Sequence, residues 1–376
     1  MNQITTSLLN AGIDIKVVAI STIKHPVVQN DEFEQHRNLT RFESFFIDTK
    51  LNASKIISSL FRRSCLQTDR FNSKEMTAKL GTLLQRETFD VVILESVFVG
   101  SYIETIRKYS RARILLRVHN VEFLIWERLS KQTQNLLKKA TYRYLSNSLK
   151  RFELSLFTKI DGYMPITEVD HNFFKARFPN LSSKVIPFAI NFSDYPYYER
   201  KIDEQNITFF HIGSMNWQPN IEGMNWFLDN VWERVIRKYP QLSLVLAGKG
   251  TKSLFEGKQL HNVRIFDFVE SAQQFINEHD IMIVPLLSGS GMRIKIMEGL
   301  ALGKPVITTT IGAEGIDVTD KEDIIIANTP EEMMQAIEYC AKNAQKIEEI
   351  GKNAKKLIQK KYTQEIISRN LISLLY

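Results

Sequence analysis

Cysteine is scarce in this sequence, and long apolar runs are absent. The 376 residues include two cysteines, Cys65 and Cys340, which lie far apart. They offer neither a disulfide framework nor a CxxC metal pair. No run approaches the roughly 18 apolar residues that indicate a transmembrane helix. The first residues lack the basic start and the apolar core of a signal peptide. We therefore expect a cytoplasmic protein, and we consider peripheral contact with the inner face of the cell membrane below.

Several motifs that mark catalytic or cofactor sites are also missing. No GxGxxG follows a first strand, and no Walker A motif occurs. The sequence has no HExxH, no Cys/His zinc spacing, no GxSxG nucleophile elbow and no closely spaced pair of aspartates. These absences argue against dinucleotide enzymes, P-loop ATPases, zinc proteases and serine hydrolases. We expect no metal ion and no bound cofactor.

Negative charge is scarce in the first half of the chain. Residues 1–170 hold 25 Lys and Arg against 18 Asp and Glu, so they account for the whole net charge of +7. The stretch 131–151 holds six basic residues and no acidic one. Such asymmetry favours an anionic partner, either a phosphate group or a membrane surface; the alternative is a solvated basic face. No motif for reading RNA or DNA accompanies the charge, so we do not expect a nucleic acid.

Short β-branched runs alternate with helical patterns along most of the chain. The predicted strands lie at 15–20, 44–48, 90–94, 113–118, 161–166, 207–212, 242–247, 263–266, 281–285, 305–309 and 323–327. The clearest predicted helices lie at 132–158, 220–238, 271–278, 291–302 and 331–345. This alternation predicts an α/β protein whose parallel sheets are covered by helices on both faces.

Eleven strands are too many for one comfortable open sheet, and a break occurs near 188–206. That segment combines two prolines with a charged polar run. We predict two doubly wound Rossmann-like domains, 1–188 and 205–355, while a C-terminal helix within 356–376 is left unassigned. The chain opens with a helical pattern, residues 2–10, ended by a glycine. We therefore expect the N-terminal domain to lack its first strand and the loop that follows it.

Ligands of open parallel sheets bind at the carboxyl ends of the strands. The segment 288–299, SGSGMRIKIMEG, follows a predicted strand and leads into a helix. Gly289 and Gly291 allow close approach of the backbone to a ligand. The helix N-terminus offers amides for a phosphate, and Arg293 and Lys295 add positive charge. The segment predicts a phosphate-binding site, with a tight turn before a solvated helix as the alternative.

Other loops at the same edge of the second sheet add candidate residues. Glu298, further along the helix, can accept hydrogen bonds from paired sugar hydroxyls. Gly213 and Ser214 can present amides to a second phosphate edge. Gly248 follows another strand and is a weaker candidate, and the GAEG segment at 312–315 is placed to close over the same ligand or to form a plain turn.

The first half of the chain offers one histidine at a strand end. His119 follows strand 113–118, and Asn120 and Glu122 come directly after it. A histidine at this position can exchange a proton near neutral pH, although a lone histidine is more often structural. Glu95 ends another predicted strand and is a candidate for the same edge of the sheet.

Four of these segments resemble motifs of the retaining glycosyltransferases of the GT-B fold, specifically family 4. They are the HNVE segment 119–122, the IPFAINFSDY turn 186–195, the GSMxWxPN segment 213–220 and the GxxMRxKxxExxxxGxPVxxTxxGxEG segment 289–315. The resemblance covers most of the chain, and the last motif is long and specific. It implies two Rossmann-like domains that face a cleft.

The resemblance also implies a function, a metal-independent hexosyl transfer with retention. The co-substrate is a nucleotide sugar, a UDP- or GDP-sugar, and the acceptor is a glycan or a lipid-linked glycan in surface polysaccharide biosynthesis. The implied acceptor side of the first domain contains Glu95, Asn120 and Glu122. A lipid-linked acceptor would bring the protein to an anionic membrane surface.

Particular residues take their roles from the family motifs. Glu298 corresponds to the glutamate that holds the ribose, and His119 to the essential histidine at the anomeric centre. The backbone of Ser290, Gly291 and Met292 would hold the diphosphate and the sugar. The residues implied to lie against the base are Phe268, Val269 and Glu270.

The sequence departs from the family pattern in three places. Ser290 replaces the first glutamate of the E-x7-E motif, and Ser214 and Met215 stand where many members have Arg and Lys. We expect Arg293 and Lys295 to supply the missing charge. The absent first strand is the third departure. Two other functions therefore stay open: a non-catalytic or truncated nucleotide-sugar-binding protein, and a nucleotide-sugar 2-epimerase or hydrolase of the same fold.

Overall fold

The computed structural model describes most of the chain. The described residues are 3–23, 25–27, 34, 37–50, 64–196, 201–289 and 291–375. The chain forms two compact units, the first comprising Met1–Pro187 with Ile367–Tyr376, and the second Phe188–Ile366. The segment 189–204, which was predicted to lie between the two domains, belongs to the second unit, as does Phe188, and the last ten residues belong to the first.

The first unit contains two parallel sheets. Its strands are β1 Val18–Ser21, β2 Glu43–Phe46, β3 Val91–Leu94, β4 Arg113–Val118, β5 Gly162–Pro165 and β6 Ser182–Ser183. Strands β1 and β2 pair with each other, and the other four form a sheet in the order β3-β4-β5-β6. The short strand β6 was not predicted. It has two residues, too few for a recognisable hydrophobic pattern.

Helices numbered along the described residues surround these strands. They are α1 Gln3–Asn10, α2 Leu66–Asp69, α3 Lys74–Arg86, α4 Ile103–Tyr109, α5 Glu122–Gln132, α6 Leu136–Leu156 and α7 Glu168–Lys175. Helix α1 ends as predicted, because Gly12 adopts φ +73° and the Ile13 amide donates to the Leu8 carbonyl at 3.1 Å. This is the usual glycine-terminated helix end.

The helix predicted at 132–158 corresponds to α6, but α6 begins four residues later than predicted, at Leu136, and α5 before it was not among the predicted helices. Thr133 has an extended backbone, and the Asn135 side chain accepts a hydrogen bond from the Lys138 amide at 3.0 Å. Such a cap satisfies an amide that has no partner within its own helix and so begins a new one. The result is a helical hairpin, in which α5 and α6 pack side by side and the phenylalanine and leucine side chains at the far end of α6 enter the core.

The second unit contains one six-stranded parallel sheet. Its strands are β7 Thr208–Ile212, β8 Ser243–Ala247, β9 Val263–Phe266, β10 Ile281–Val284, β11 Val306–Thr308 and β12 Ile325–Ile326. Their order is β12-β11-β10-β7-β8-β9. Alternate side chains of the central strands enter two separate core clusters, with Phe209 and Ile283 in one and Phe210 and Val284 in the other. Both faces are buried, as the strand pattern predicted.

Nine further helices complete the described chain. They are α8 Gln218–Phe227, α9 Glu233–Lys238, α10 Thr251–Phe255, α11 Ala272–Glu278, α12 Ile294–Ala301, α13 Thr310–Ala313, α14 Pro330–Lys342, α15 Ala344–Lys361 and α16 Gln364–Leu375. The helix predicted at 220–238 is interrupted by a π-helical turn at Leu228–Trp232. The segment 356–376 contains the end of α15 and all of α16, and the carbonyls of Leu374 and Leu375 accept hydrogen bonds from Arg113 of the first unit. No helix among the described residues is long and apolar enough to cross a membrane.

Candidate functional site

In the sheet of the second unit, the order in which the chain adds strands reverses between β7 and β10. We call this place the switch point. From this pair the chain order runs outward on both sides, through β8 and β9 in one direction and through β11 and β12 in the other. Connections on opposite faces leave a crevice at the carboxyl ends of such a central pair, and ligands of doubly wound sheets bind there. The loops after β7 and β10 are the two segments that the sequence analysis selected.

The backbones after β7 and β8 lie against each other. The Gly213 amide donates to the Ala247 carbonyl at 2.9 Å. Gly248 adopts φ +137°, and a Cβ at this position would lie 2.1 Å from the Gly213 carbonyl oxygen. Only glycine fits such a contact. The weak sequence signal at Gly248 therefore has a structural reason, which is to bring the β8 loop against the β7 loop.

Lys295 lies directly over Gly213. A Cβ at Gly213 would stand 2.6 Å from the Lys295 Nζ atom. The ammonium donates a hydrogen bond to Oδ1 of Asn220 at 2.8 Å, and Nδ2 of Asn220 donates to the Ser214 carbonyl at 2.8 Å. Asn220 thus joins the lysine to the β7 loop. Burial, together with the nearby charge of Arg293, lowers the pKa of Lys295 to about 7.

A buried histidine lies beneath this lysine. His211, inside β7, is fully buried, and its Nδ1 lies 2.8 Å from the Ile283 carbonyl oxygen. A carbonyl only accepts hydrogen bonds, so Nδ1 carries the proton and Nε2 presents a lone pair. Nε2 is 3.4 Å from Nζ of Lys295. Burial, reinforced by the lysine's charge, holds the pKa of His211 well below its ordinary value, so the ring is neutral.

Arg293 brings a second positive charge to the same crevice. Its side chain is buried, and its guanidinium carbon lies 5.6 Å from the centroid of the Trp217 ring in the β7 loop. Gly289 makes room for it, since a Cβ there would lie 2.7 Å from Nη2 of Arg293, and Gly289 adopts φ +117°. Two cations thus meet glycine-rich backbone at the switch point, an arrangement suited to an anion.

Glu298 lies one turn into α12 and has a partner that the sequence analysis missed. The Tyr195 hydroxyl donates to Oε1 of Glu298 at 2.9 Å. Burial raises the pKa of Glu298, and the bond from Tyr195 partly opposes this effect. Tyr195 is the last residue of the IPFAINFSDY turn 186–195, to which the family resemblance assigned no residue at the site.

The remaining predicted donor residues divide into two groups. Gly291 adopts φ +81°, and Met292 packs against the core beside the switch point, while Ser290 lies outside the described residues. Phe268 and Glu270 lie on the surface after β9, two strands away from β7, and Val269 packs inward between them.

The predicted residues of the first unit meet at the carboxyl ends of β3 and β4. Nε2 of His119 lies 2.8 Å from the Glu95 carbonyl oxygen and 3.9 Å from its carboxylate. His119 Nε2–H therefore donates to the carbonyl, and Nδ1 is the acceptor of the neutral ring. Burial and the charge of Arg117 lower the pKa of His119. Arg117 is itself buried, with Nε 3.7 Å from the Glu95 carboxylate.

The backbone after His119 is held by a buried carboxyl group from the helical hairpin. Glu153 of α6 is fully buried, and its two oxygens accept the amides of Glu122 and Phe123 at 3.1 and 3.2 Å. These are amides of the first turn of α5, which has no partners of its own there. Burial raises the pKa of Glu153 to about 8. Asn120 donates to Glu122 at 3.3 Å.

The loops that form the crevice of the second unit lie within a segment that matches a known family model. Residues 206–343 match the family model of the glycosyl transferases group 1. A protein of Klebsiella pneumoniae described as an uncharacterized 44.6 kDa protein in the cps region is 25% identical over 297 residues, which is 76% of this chain and 74% of that protein. These findings support glycosyl transfer.

Solved structures of other proteins are similar in fold to this chain. The sucrose-phosphate synthase of Thermosynechococcus elongatus has a TM-score of 0.67 at 14% identity, with 99% of this chain and 90% of that chain covered. HepE of Anabaena, solved with UDP and glucose, has a TM-score of 0.66 at 14% identity over 99% of this chain and 94% of that chain. The two Rossmann-like units are therefore of the GT-B type, as predicted.

A metal site would need several His, Cys, Asp or Glu side chains close together, and the described residues were compared with that requirement. Among them no group of three or more His, Cys, Asp or Glu could hold a metal ion. The expectation that the reaction needs no metal stays a prediction, and its test follows below.

Proposed function

We propose that the protein is a glycosyltransferase that moves a sugar from a nucleotide-sugar donor to a glycan or lipid-linked acceptor. The observation that carries the proposal is the meeting of Lys295 with the Gly213 backbone and of Arg293 with Gly289 at the switch point, within the segment that matches the family model. HepE was solved with UDP and with UDP-glucose, which supports UDP over GDP as the donor nucleotide. The cps-region relative supports a role in polysaccharide biosynthesis.

In this proposal the two cations neutralise the charge that develops on the leaving diphosphate. Cations already fixed in the protein stabilise such charge without reorganisation when the bond breaks. Lys295 and Arg293 thereby take the place of a metal ion. Retention would follow from attack on the face of the sugar that the leaving group departs from, and the unprotonated Nδ1 of His119 would accept a hydrogen bond from a donor hydroxyl.

A two-step experiment tests this function. Thermal shift measurements with UDP, GDP, ADP and their sugars identify the donor, because a ligand of the folded state raises the melting temperature. Nucleotide release from that donor is then measured in EDTA with and without glycan acceptors. Release that depends on an acceptor supports transfer. Nucleotide release without an acceptor indicates a hydrolase or an epimerase, and nucleotide binding without any release indicates a non-catalytic protein. Activity that returns only when Mg²⁺ is added contradicts metal independence.

The proposed ribose contact gives a first prediction. Replacing Glu298 by alanine is expected to weaken UDP binding by about 1.5–3 kcal/mol, the contribution of a hydrogen bond to a charged group. Calorimetric titration measures the change. Glu338→Ala is the matched control, since Glu338 pairs with Lys238 on the surface of the same unit.

A second variant separates the ribose contact from support of the neighbouring tyrosine. Tyr195→Phe removes the hydroxyl bonded to Glu298 and keeps the carboxylate. We expect a loss of UDP affinity smaller than that of Glu298→Ala. Equal losses in the two variants would show that Glu298 acts by holding Tyr195, and unchanged UDP affinity in Glu298→Ala would remove it from the donor site.

A further inference from the structure

The tip of the helical hairpin exposes two adjacent leucines. Leu136 and Leu137, the first residues of α6, are 80% and 81% exposed. Every residue from 136 to 141 is exposed, so the first turn and a half of the helix contact little of the described chain. The rest of α6 behaves differently, because Leu149 and Leu156 are buried. The hairpin is thus anchored at one end and bare at the other.

Positive charge surrounds the exposed leucines. Lys138 and Lys139 follow them directly and are exposed, and Arg143 is exposed one turn further on. Tyr144, seven residues after Leu137 and thus on the same side of the helix, is 37% exposed. We call residues 133–144 the hairpin tip. It contains no acidic residue, so the surface that approaches a partner is apolar at its end and cationic just behind it.

The order of these side chains, leucines followed by lysines, favours an anionic lipid surface as the partner. Exposed apolar patches rimmed by polar groups mark interaction sites. Leucines at a helix end followed by lysines match a bilayer interface, in which apolar side chains enter the acyl boundary and cations meet anionic headgroups. The long methylene chains of lysine also allow the ammonium groups to reach the headgroups while the helix lies deeper.

We propose that the hairpin tip docks on an anionic lipid surface by inserting Leu136 and Leu137. The structure refines the expectation drawn from residues 131–151. The apolar side chains of α6 fall into two sets. Leu149 and Leu156 pack into the protein, whereas Leu136 and Leu137 at the start of the helix are exposed. The proposal does not depend on glycosyl transfer, because lipid binding is measured without any sugar substrate.

Vesicle co-sedimentation of the full chain tests the proposal. We expect binding to vesicles that contain phosphatidylglycerol, weak binding to pure phosphatidylcholine, and release by high salt, which screens surface charge. Lys138→Gln with Lys139→Gln should lower the partition coefficient about thirtyfold, as follows from about 1 kcal/mol for each lysine near an anionic surface. Leu136→Ser with Leu137→Ser should lower it at least as far.

Matched controls separate the tip from general effects. Leu39→Ser removes an exposed leucine elsewhere in the first unit, and Lys342→Gln with Lys346→Gln removes two exposed cations from the second. Both should bind vesicles as the unaltered chain does. Melting temperatures should be unchanged in all four variants, because the altered side chains are exposed.

Direct insertion can be read from a fluorescent label. The two native cysteines are buried, so a Leu137→Cys variant can be labelled selectively with an environment-sensitive dye. A blue shift on anionic vesicles and none on neutral ones supports insertion. Equal binding to both kinds of vesicle, no binding at low salt, or no loss in the leucine double variant would overturn the proposal. Self-association abolished by that double variant would identify a second copy of the chain as the occupant instead.

Discussion

Replacement of His119 by alanine is expected to lower kcat by about 10²- to 10⁴-fold, the usual contribution of a positioned proton-transfer or hydrogen-bonding group. The affinity for UDP should stay unchanged. His119 belongs to the first unit, whereas the cations proposed to hold the diphosphate belong to the second. A residue that acts on the reacting sugar and not on the nucleotide lowers turnover without weakening ground-state binding of the nucleotide.

The geometry of His119 also predicts its pH behaviour and its best substitute. Burial and the charge of Arg117 lower the pKa of His119 below its ordinary value, so protonation of this ring should reduce kcat only at a lower pH than it would for an ordinary histidine. Glutamine can still donate to the Glu95 carbonyl and offer an acceptor. His119→Gln should therefore retain more activity than His119→Ala.

Steady-state kinetics and calorimetry on the same preparations decide this prediction. His261→Ala serves as the control, because His261 is an exposed histidine paired with Glu233 on the surface of the second unit. Equal fractional losses of kcat and of UDP affinity in His119→Ala would contradict a role in the transition state. Equal activity of the alanine and glutamine variants would contradict the hydrogen-bonding role.

The strands and the motif-bearing loops were predictable because their signals are local. Strand 113–118 is apolar at four of its six positions, and the structure places β4 at the same residues, with the last five of them buried. Glycine spacing at 289 and 291 likewise reflects positive φ angles that disfavour other residues. Patterns of this kind depend on residues that are neighbours in sequence, so a single amino-acid sequence is enough to predict these strands and turns.

Contacts between distant segments were not predictable in the same way. None of His211, Asn220 and Glu153 was among the site residues predicted from the sequence. Each lies in an ordinary strand or helix, and each reaches the site only after the chain has folded. Glu153 is a charged residue within an apolar helical stripe, which was the available signal, because such a carboxylate is buried only when amides or cations compensate it.

The start of α6 was predicted four residues too early, at 132 instead of 136, for a related reason. Apolar side chains recur at helical spacing on both sides of residue 133, so periodicity alone continues through the gap. Asn135 provided the opposing signal, since asparagine is a strong N-cap residue. The same mistake hid the exposed leucines, because a helix starting at 132 places Leu136 and Leu137 inside it, one turn from its start, rather than at a hairpin tip.

Replacement of Lys295 by methionine is expected to weaken UDP binding by about 10- to 150-fold, corresponding to 1.5–3 kcal/mol for a hydrogen bond between charged groups. Methionine keeps most of the side-chain volume and removes the ammonium that lies over Gly213. Lys346→Met is the matched control, because Lys346 pairs with Glu349 on the surface of the same unit.

The stronger test of Lys295 is the pH dependence of UDP binding. Without ligand the pKa of Lys295 is about 7, and a bound diphosphate raises it, because an opposite charge favours the protonated amine. Above pH 7 the unliganded protein has lost the proton that the complex needs, so binding takes up a proton. Affinity should then fall about tenfold per pH unit until the pKa of the complex is reached. The terminal phosphate of UDP, which titrates near 6, does not contribute to this slope.

Calorimetric titrations at pH 8 in two buffers of different ionisation enthalpy count the proton directly. We expect close to one proton taken up per UDP bound by the unaltered chain and almost none by Lys295→Met. Arg293 stays charged throughout this range, and His211 is already neutral, so neither can supply the signal. An affinity that is flat from pH 7 to 9, or a slope that persists in Lys295→Met, would show that Lys295 is not the group that meets the diphosphate. The cation at the switch point would then be Arg293 alone.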